Sequence, residues 1–394
     1  MSNQMPPLSL FKTESNTGKV FFDGKLIPEE QITRIGPDSF YIENFMHNYF
    51  PAHLQPDLVF ETIKSSDQWV PRSNPEILYR GNELNRGKMF ATQNTEVDPP
   101  TGIPLLISKY TYSGSQWLNL LNYKTFKDAG VDPIVQELDK ISFTLPTDLP
   151  NSNAKLTSIN NIIITAYETP EDGISLHHDR EDDIAKDSLI ISLSLGDVLE
   201  MKIERDSDSS SETFLQKSGS LFAIGPQTNR DYRHGIIPAE NETIGTKKRR
   251  AAPFGCRISI IGRHISTVVS QMKVIQECKK SLKTAMNRIC GKSLQVLSKA
   301  ITAEVKDAGI TEKTEIATKR KELKSDVYST EWKRALRERE QNKIDFFTSV
   351  SDSLKKNQTT FTDLISVVNM FHQCKNQFYE ENERQNKRAK LNSE

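Results

Sequence analysis

NNIIITAYETPEDGISLHHDRED, residues 160–182, begins as an apolar strand and ends in a charged turn rich in metal-ligating side chains. In the strand, Thr165 and Tyr167 occupy alternate positions and share one face. Further on, His177 and Asp179 are two apart, which in an extended segment points both to the same side, toward one metal ion. The same alternation turns His178 away, so it is expected to be a spectator rather than an alternative ligand. Taken alone, such a pair also fits a solvated loop.

Its weight comes from what lies downstream. His234 stands in the strand-like DYRHGI, where a sandwich brings strands distant in sequence side by side. Two imidazoles and one carboxylate on one face leave coordination positions open, an arrangement suited to ferrous iron that must also bind a cosubstrate and oxygen. Zinc is the competing metal. In CRISIIGRHI, residues 256–265, Arg257 and Arg263 are six apart and so lie on one strand face. Two inward guanidinium forks either grip the carboxylates of a bound anion or pair with internal acids, because burying them uncompensated is costly.

The flanking sequence sets the fold class. Apolar or alternating runs recur at 105–112, 161–167, 188–195, 198–203, 220–224, 233–237 and 257–264, with Gly, Asp or Pro between them. Such spacing predicts an antiparallel sandwich or jelly roll, with RDSDSSSE, residues 205–212, as a polar loop tip. From Phe40 a strand followed by a short helix is expected. After His264 the apolar residues Val268, Met272, Ile275, Leu282, Met286 and Ile289 adopt helical spacing, and residues 331–347 read as a charged amphipathic helix.

Composition draws the same boundary. The chain of 394 residues carries 52 basic and 52 acidic side chains. Residues 265–394 hold 25 Lys/Arg and 17 Asp/Glu, a net +8, which leaves 27 and 35, a net −8, for residues 1–264. All 18 prolines lie at or before Pro253, so the last third is free to form long helices. The expected organisation is an N-terminal arm over 1–37, a mainly β domain over 38–264, an α-helical extension over 265–380 and a disordered tail over 381–394. No apolar run reaches the roughly 18 residues of a membrane span, and MSNQMPPLSL lacks the features of a signal peptide. Four cysteines without CxxC spacing argue against disulfides and structural zinc. A soluble intracellular protein without membrane contact is expected, and KKRR at 247–250 and NKRAK near the end permit a nuclear one.

In order, Tyr167, His177-x-Asp179, the ISLSLG strand at 191–196, Gly219 to Gly225, His234-Gly235, and Arg257 with Arg263 resemble the AlkB-type iron(II) and 2-oxoglutarate dependent dioxygenases. The likeness covers about residues 38–264. It implies a double-stranded β-helix, a jelly roll with flanking helices, in which His177, Asp179 and His234 are iron ligands. Arg257 and Tyr167 would hold the distal carboxylate of 2-oxoglutarate, and Arg263 would sit nearer the metal end. Thr165 and Ser259 would complete the cosubstrate pocket, although the family usually has asparagine where Thr165 stands, and often asparagine and threonine where Ser259 and Ile261 stand. No catalytic side chain beyond the metal ligands is implied.

YTYSG at 110–114 is similar to the nucleotide-recognition strand of the DNA-repair members. Tyr110, Tyr112 and Ser113 would then line the substrate wall, with Tyr112 stacking on an extruded base, and Glu181 would face the base. The tyrosines also fit ordinary core aromatics of a strand. The resemblance implies Fe(II), 2-oxoglutarate and O2 as reactants. The expected function is demethylation of bases such as N1-methyladenine and N3-methylcytosine in DNA or RNA, with succinate, carbon dioxide and formaldehyde as products. An oxygenase acting on protein, or a noncatalytic helical interaction protein with a vestigial metal site, are the alternatives. Nucleic acid is the expected partner, and the basic helical region offers a second surface for nucleic acid or a protein.

Overall fold

The computed structural model describes residues 18–70, 86–94, 96–97, 104–110, 120, 122–144, 158–169, 171–238 and 255–280, with scattered positions in 282–295 and 341–350. Tyr112, Ser113, KKRR, residues 331–340 and the terminal tail lie outside them. Contacts divide the chain into two compact units, Met1–Val274 and Ile275–Glu394.

The first unit is mainly β. Its elements are β1 (Lys19–Phe22), β2 (Lys25–Leu26), β3 (Thr33–Ile35), β4 (Ser39–Ile42), α1 (Phe45–Tyr49), α2 (Pro56–Lys64), β5 (Gly87–Thr92), β6 (Leu106–Ser108), β7 (Tyr123–Thr125), α3 (Asp132–Leu138) and β8 (Ile141–Thr144). They continue with β9 (Asn161–Tyr167), β10 (Ile174–His177), β11 (Ile190–Gly196), β12 (Leu199–Arg205), β13 (Ser211–Gln216), β14 (Ser220–Ile224), α4 (Pro226–Asp231), β15 (Tyr232–Ile237), β16 (Arg257–Arg263) and β17 (Val268–Ser270).

An eight-stranded sheet runs β3-β4-β14-β11-β16-β9-β5-β7, and a four-stranded sheet runs β10-β15-β12-β13. Within the large sheet only the β5–β7 pair is parallel. β9 and β11 are buried along nearly their whole length because both faces of the sheet are covered. On one face Ile162, Ile164, Leu193, Leu195, Ile258 and Ile260 pack with Phe45, Val59 and Leu138 of the helices. On the other, Tyr167, Ile190, Phe222 and Ile224 pack with Leu199, Met201, Ile203 and Ile236 of the small sheet. Alternation along each central strand therefore sends one row to the helices and the next into the space between the sheets. At roughly 25 cal/mol per Å2 of buried apolar surface, these two layers are the main stabilising term.

Three expectations change. Residues 205–212 are not all loop: β12 runs to Arg205 and β13 starts at Ser211, the polar SETFLQ being an edge strand that alternates exposed and half-buried up to the buried Gln216. Val268 does not begin a helix but lies in β17, paired with Ser108 of β6. The helix starts at residue 271, and its buried side chains are Val274, Ile275 and Cys278, while Met272 is exposed. Periodicity alone could not see that β6 supplies a strand partner at this point. In the second unit, the described residues are almost all helical. Among the described residues no helix is long and apolar enough to cross a membrane.

Candidate metal centre

β10 and β15 lie antiparallel with His177 opposite His234, which brings the two imidazole centroids to 4.6 Å. The turn after β10 delivers Asp179, whose Oδ2 is 3.7 Å from His234 Nε2. That is too long for a hydrogen bond and short enough for both atoms to share one cation. The Ser175 carbonyl lies 2.9 Å from His177 Nδ1, and since a carbonyl only accepts, Nδ1 carries the hydrogen and Nε2 presents a lone pair. His234 is buried and its Nδ1 has no partner among the described residues. Burial, and then His177, lower its pKa to about 3 against the pull of Asp179, so the imidazole is neutral and fit to ligate.

Burial opposes ionisation of Asp179, but Arg263, His234 and His177 outweigh it and hold the carboxyl well below the usual range. Arg263 Nη2 donates to Asp179 Oδ1 at 3.1 Å, and Tyr110 Oη donates to the same oxygen at 3.0 Å. The guanidinium also lies 4.3 Å from the Tyr110 ring centroid. Among the described residues no three His, Cys, Asp or Glu side chains close into a finished metal cage. The donor set nonetheless fits a divalent cation: one carboxylate held ionised, one imidazole with a free lone pair, and a second whose buried Nδ1 is unpartnered.

β16 and β9 supply the adjoining wall. Their register pairs Arg257 with Tyr167, Ser259 with Thr165, and Arg263 with Asn161. Arg257 is 1% exposed, its Nε donates to Ser194 Oγ at 2.8 Å, its guanidinium carbon lies 5.0 Å from the Tyr167 centroid, and its Nη1 has no partner among the described residues. Burial lowers its pKa while Tyr167 supports the charge. Ser259 and Ser192 share a hydrogen bond of 2.9 Å. His177, Asp179, His234, Thr165, Tyr167, Arg257, Ser259 and Arg263 all line one cavity between the two sheets.

The substrate-side expectations meet a different geometry. Tyr110 is no open wall: it is 5% exposed, and its hydroxyl is spent on Asp179. Its ionisation is pushed up by burial and then by Asp179. Glu181 lies outside the cavity, in an open cleft that shares Ile190 and Ile224 with it. Its carboxylate accepts from Asn229 Nδ2 at 2.9 Å and faces Arg230 at 3.3 Å. His178 is tied outward, with Nε2 3.0 Å from Asp206 and Nδ1 against the Asn229 carbonyl.

Sequence reasoning passed over Asn229. Its side chain accepts from the Asp179 backbone N–H at 2.9 Å and donates to the Asp179 carbonyl and to Glu181, each at 2.9 Å. Asn229 is itself placed by α4, whose first N–H groups, of Gln227 and Thr228, donate to the buried Asp38 carboxylate at 2.8 Å. A Cβ at Gly225 would collide with that carboxylate, so the approach requires glycine. Asn229→Ala is expected to free the 178–181 turn and weaken metal binding about ten- to a hundredfold, the range for lost outer partners of metal ligands. Titration with Mn(II), with circular dichroism as the fold control, checks it.

Two sheets thus enclose one cavity lined by two imidazoles, one carboxylate and two arginines. The chain belongs to the 2OG-Fe(II) oxygenase superfamily, whose pattern it matches over residues 45–263. This family uses Fe(II) and 2-oxoglutarate. Among solved structures the chain is similar to that of OsALKBH1, with 16% identity, 59% of this chain and 99% of that chain covered, and a TM-score of 0.34. It is also similar to a Pseudomonas putida prolyl-4-hydroxylase, with 15% identity, 28% and 54% covered, and a TM-score of 0.21. No curated protein matches the sequence.

Proposed function

We propose that the protein is an AlkB-type dealkylase that removes methyl groups from nucleobases such as N1-methyladenine and N3-methylcytosine in DNA or RNA. In this reading the two sheets form a double-stranded β-helix, and His177, Asp179 and His234 hold the iron. The observation that carries the cosubstrate side is Arg257, a buried guanidinium beside Tyr167 with an unpartnered Nη1 and no carboxylate partner among the described residues. The ordered motif set and Glu181 support the nucleobase side.

Bound Fe(II), with 2-oxoglutarate and O2, supplies the oxidation: the oxo acid becomes succinate and carbon dioxide, and the hydroxylated N-methyl group leaves as formaldehyde. The chain's own residues position and shield. Arg257 and Tyr167 grip the distal carboxylate bidentately, and Ser259 and Thr165 line its path. Arg263 and Tyr110 hold Asp179 ionised and oriented, and the Ser175 carbonyl fixes the His177 tautomer. Ile163, Ile190, Met201 and Ile236 keep water from the cavity, which strengthens each charged contact within it. Glu181, turned toward the open cleft, suits the positive charge of a methylated base once the base displaces Arg230.

Formaldehyde release from methylated single-stranded DNA, double-stranded DNA and RNA, measured beside succinate formation, tests this proposal. Both products are expected in equal amounts with at least one nucleic acid. Succinate without formaldehyde from any of the three would reject the nucleobase substrate, and absence of both would reject the enzyme.

A further inference from the structure

Glu181 opens onto a cleft of about 450 Å3, within the roughly 300–1,000 Å3 of small-molecule pockets. The cleft has Ile184 and Pro226 in its wall and shares Ile190 and Ile224 with the metal cavity. The two carboxylate oxygens of Glu181 are held unequally. Oε1 accepts from Asn229 Nδ2 at 2.9 Å, the same amide group that donates to the Asp179 carbonyl, so this oxygen is fixed to the framework of the metal centre. Oε2 accepts from Arg230 Nη1 at 3.3 Å, and Arg230 Nη2 donates to Gln227 Oε1 at the same 3.3 Å. Both contacts of the arginine are long, its side chain is 45% exposed, and the buried Asp38 acts on it through charge alone. An ion pair this exposed is worth no more than about fivefold in an equilibrium constant, so a second cation takes its place at little cost. A neutral ring offers Oε2 no countercharge in exchange.

We propose that Arg230 is an internal competitor of the substrate: its guanidinium caps Glu181 Oε2 in the free protein, a cationic methylated ring replaces it there, and a neutral ring does not. The inference rests on the reading that the cleft receives a methylated base, and it adds the residue that sets how tightly a charged base is held. An arginine that served only to fasten α4 to the 178–181 turn would, once removed, leave ligand binding unchanged or weaken it.

Calorimetric titration of the full chain, loaded with Mn(II) and 2-oxoglutarate so that no turnover occurs, compares N3-methylcytidine, a cation at neutral pH, with N3-methyluridine, a neutral ring of similar shape. The wild type is expected to bind the cation more tightly. In Arg230→Gln the dissociation constant for N3-methylcytidine is expected to fall about three- to fivefold, while that for N3-methyluridine stays within twofold. Salt gives a readout that a fastening role would not move. The wild type trades one cation for another, so its binding responds little to added salt, whereas the variant forms a new ion pair that salt weakens. A gain of less than twofold, weaker binding, or the same salt response in both proteins would overturn the proposal. If Arg230→Gln fails to fold, a steep salt response in the wild type would overturn it. A wild type that binds both probes equally, or neither, would instead overturn the reading of Glu181 and its cleft as the base site, and Arg230's role with it.

Discussion

Arg257→Met is expected to raise the dissociation constant for 2-oxoglutarate by about two orders of magnitude without unfolding the protein. Each hydrogen bond from a charged donor is worth about 1.5–3 kcal/mol net, and a guanidinium fork makes two, so a loss of about 3 kcal/mol, or roughly a hundredfold, is a conservative expectation. The stability side runs the other way. Arg257 is 1% exposed, and among the described residues its guanidinium meets Ser194 and the Tyr167 ring but no acid. Replacing a desolvated cation with an apolar side chain of similar length is neutral or stabilising. Calorimetry and thermal melting on the same preparation separate the two effects. Unchanged affinity would remove the distal carboxylate from this site, and a collapse in melting temperature would make Arg257 a structural residue.

His234→Ala is expected to abolish succinate formation and to weaken Mn(II) or Fe(II) binding by more than about a hundredfold, since loss of an outer partner alone costs ten- to a hundredfold. His178→Ala provides the control. It lies next to His177, yet both its ring nitrogens are engaged away from the cavity, with Asp206 and the Asn229 carbonyl. Its turnover is expected to stay within a few-fold of the wild type. Equal loss in both variants would mean that the imidazole at 234 has no special place, and the three-residue ligand set would fall.

Much of this was legible because alternation in strands is a strong signal. The apolar runs at 161–167, 220–224 and 257–264 appear as β9, β14 and β16 with the expected bounds or within a residue of them. The two arginines share a face for the same reason that Thr165 and Tyr167 do. What stayed hidden depended on partners distant in sequence. Lys88 looks like a surface cation in GKMFAT, yet every residue of that strand is buried, because β9 and β7 flank it and both sheet faces are covered. Asn229 looks like a turn residue until α4 carries it to Asp179, 50 positions away. Tyr110 was legible as a strand aromatic, but nothing local shows that its hydroxyl ends on Asp179.

Asn229 and His234 lie five residues apart on one uninterrupted piece of chain, α4 running directly into β15. One grips the backbone around Asp179 and the other presents its ring to the Asp179 side chain. The spacing of that carboxylate and that imidazole is therefore governed by a short covalent tether, not by how closely the two layers press together. Thermal breathing of the layers would open and close the chamber between them while leaving that carboxylate and that imidazole in step.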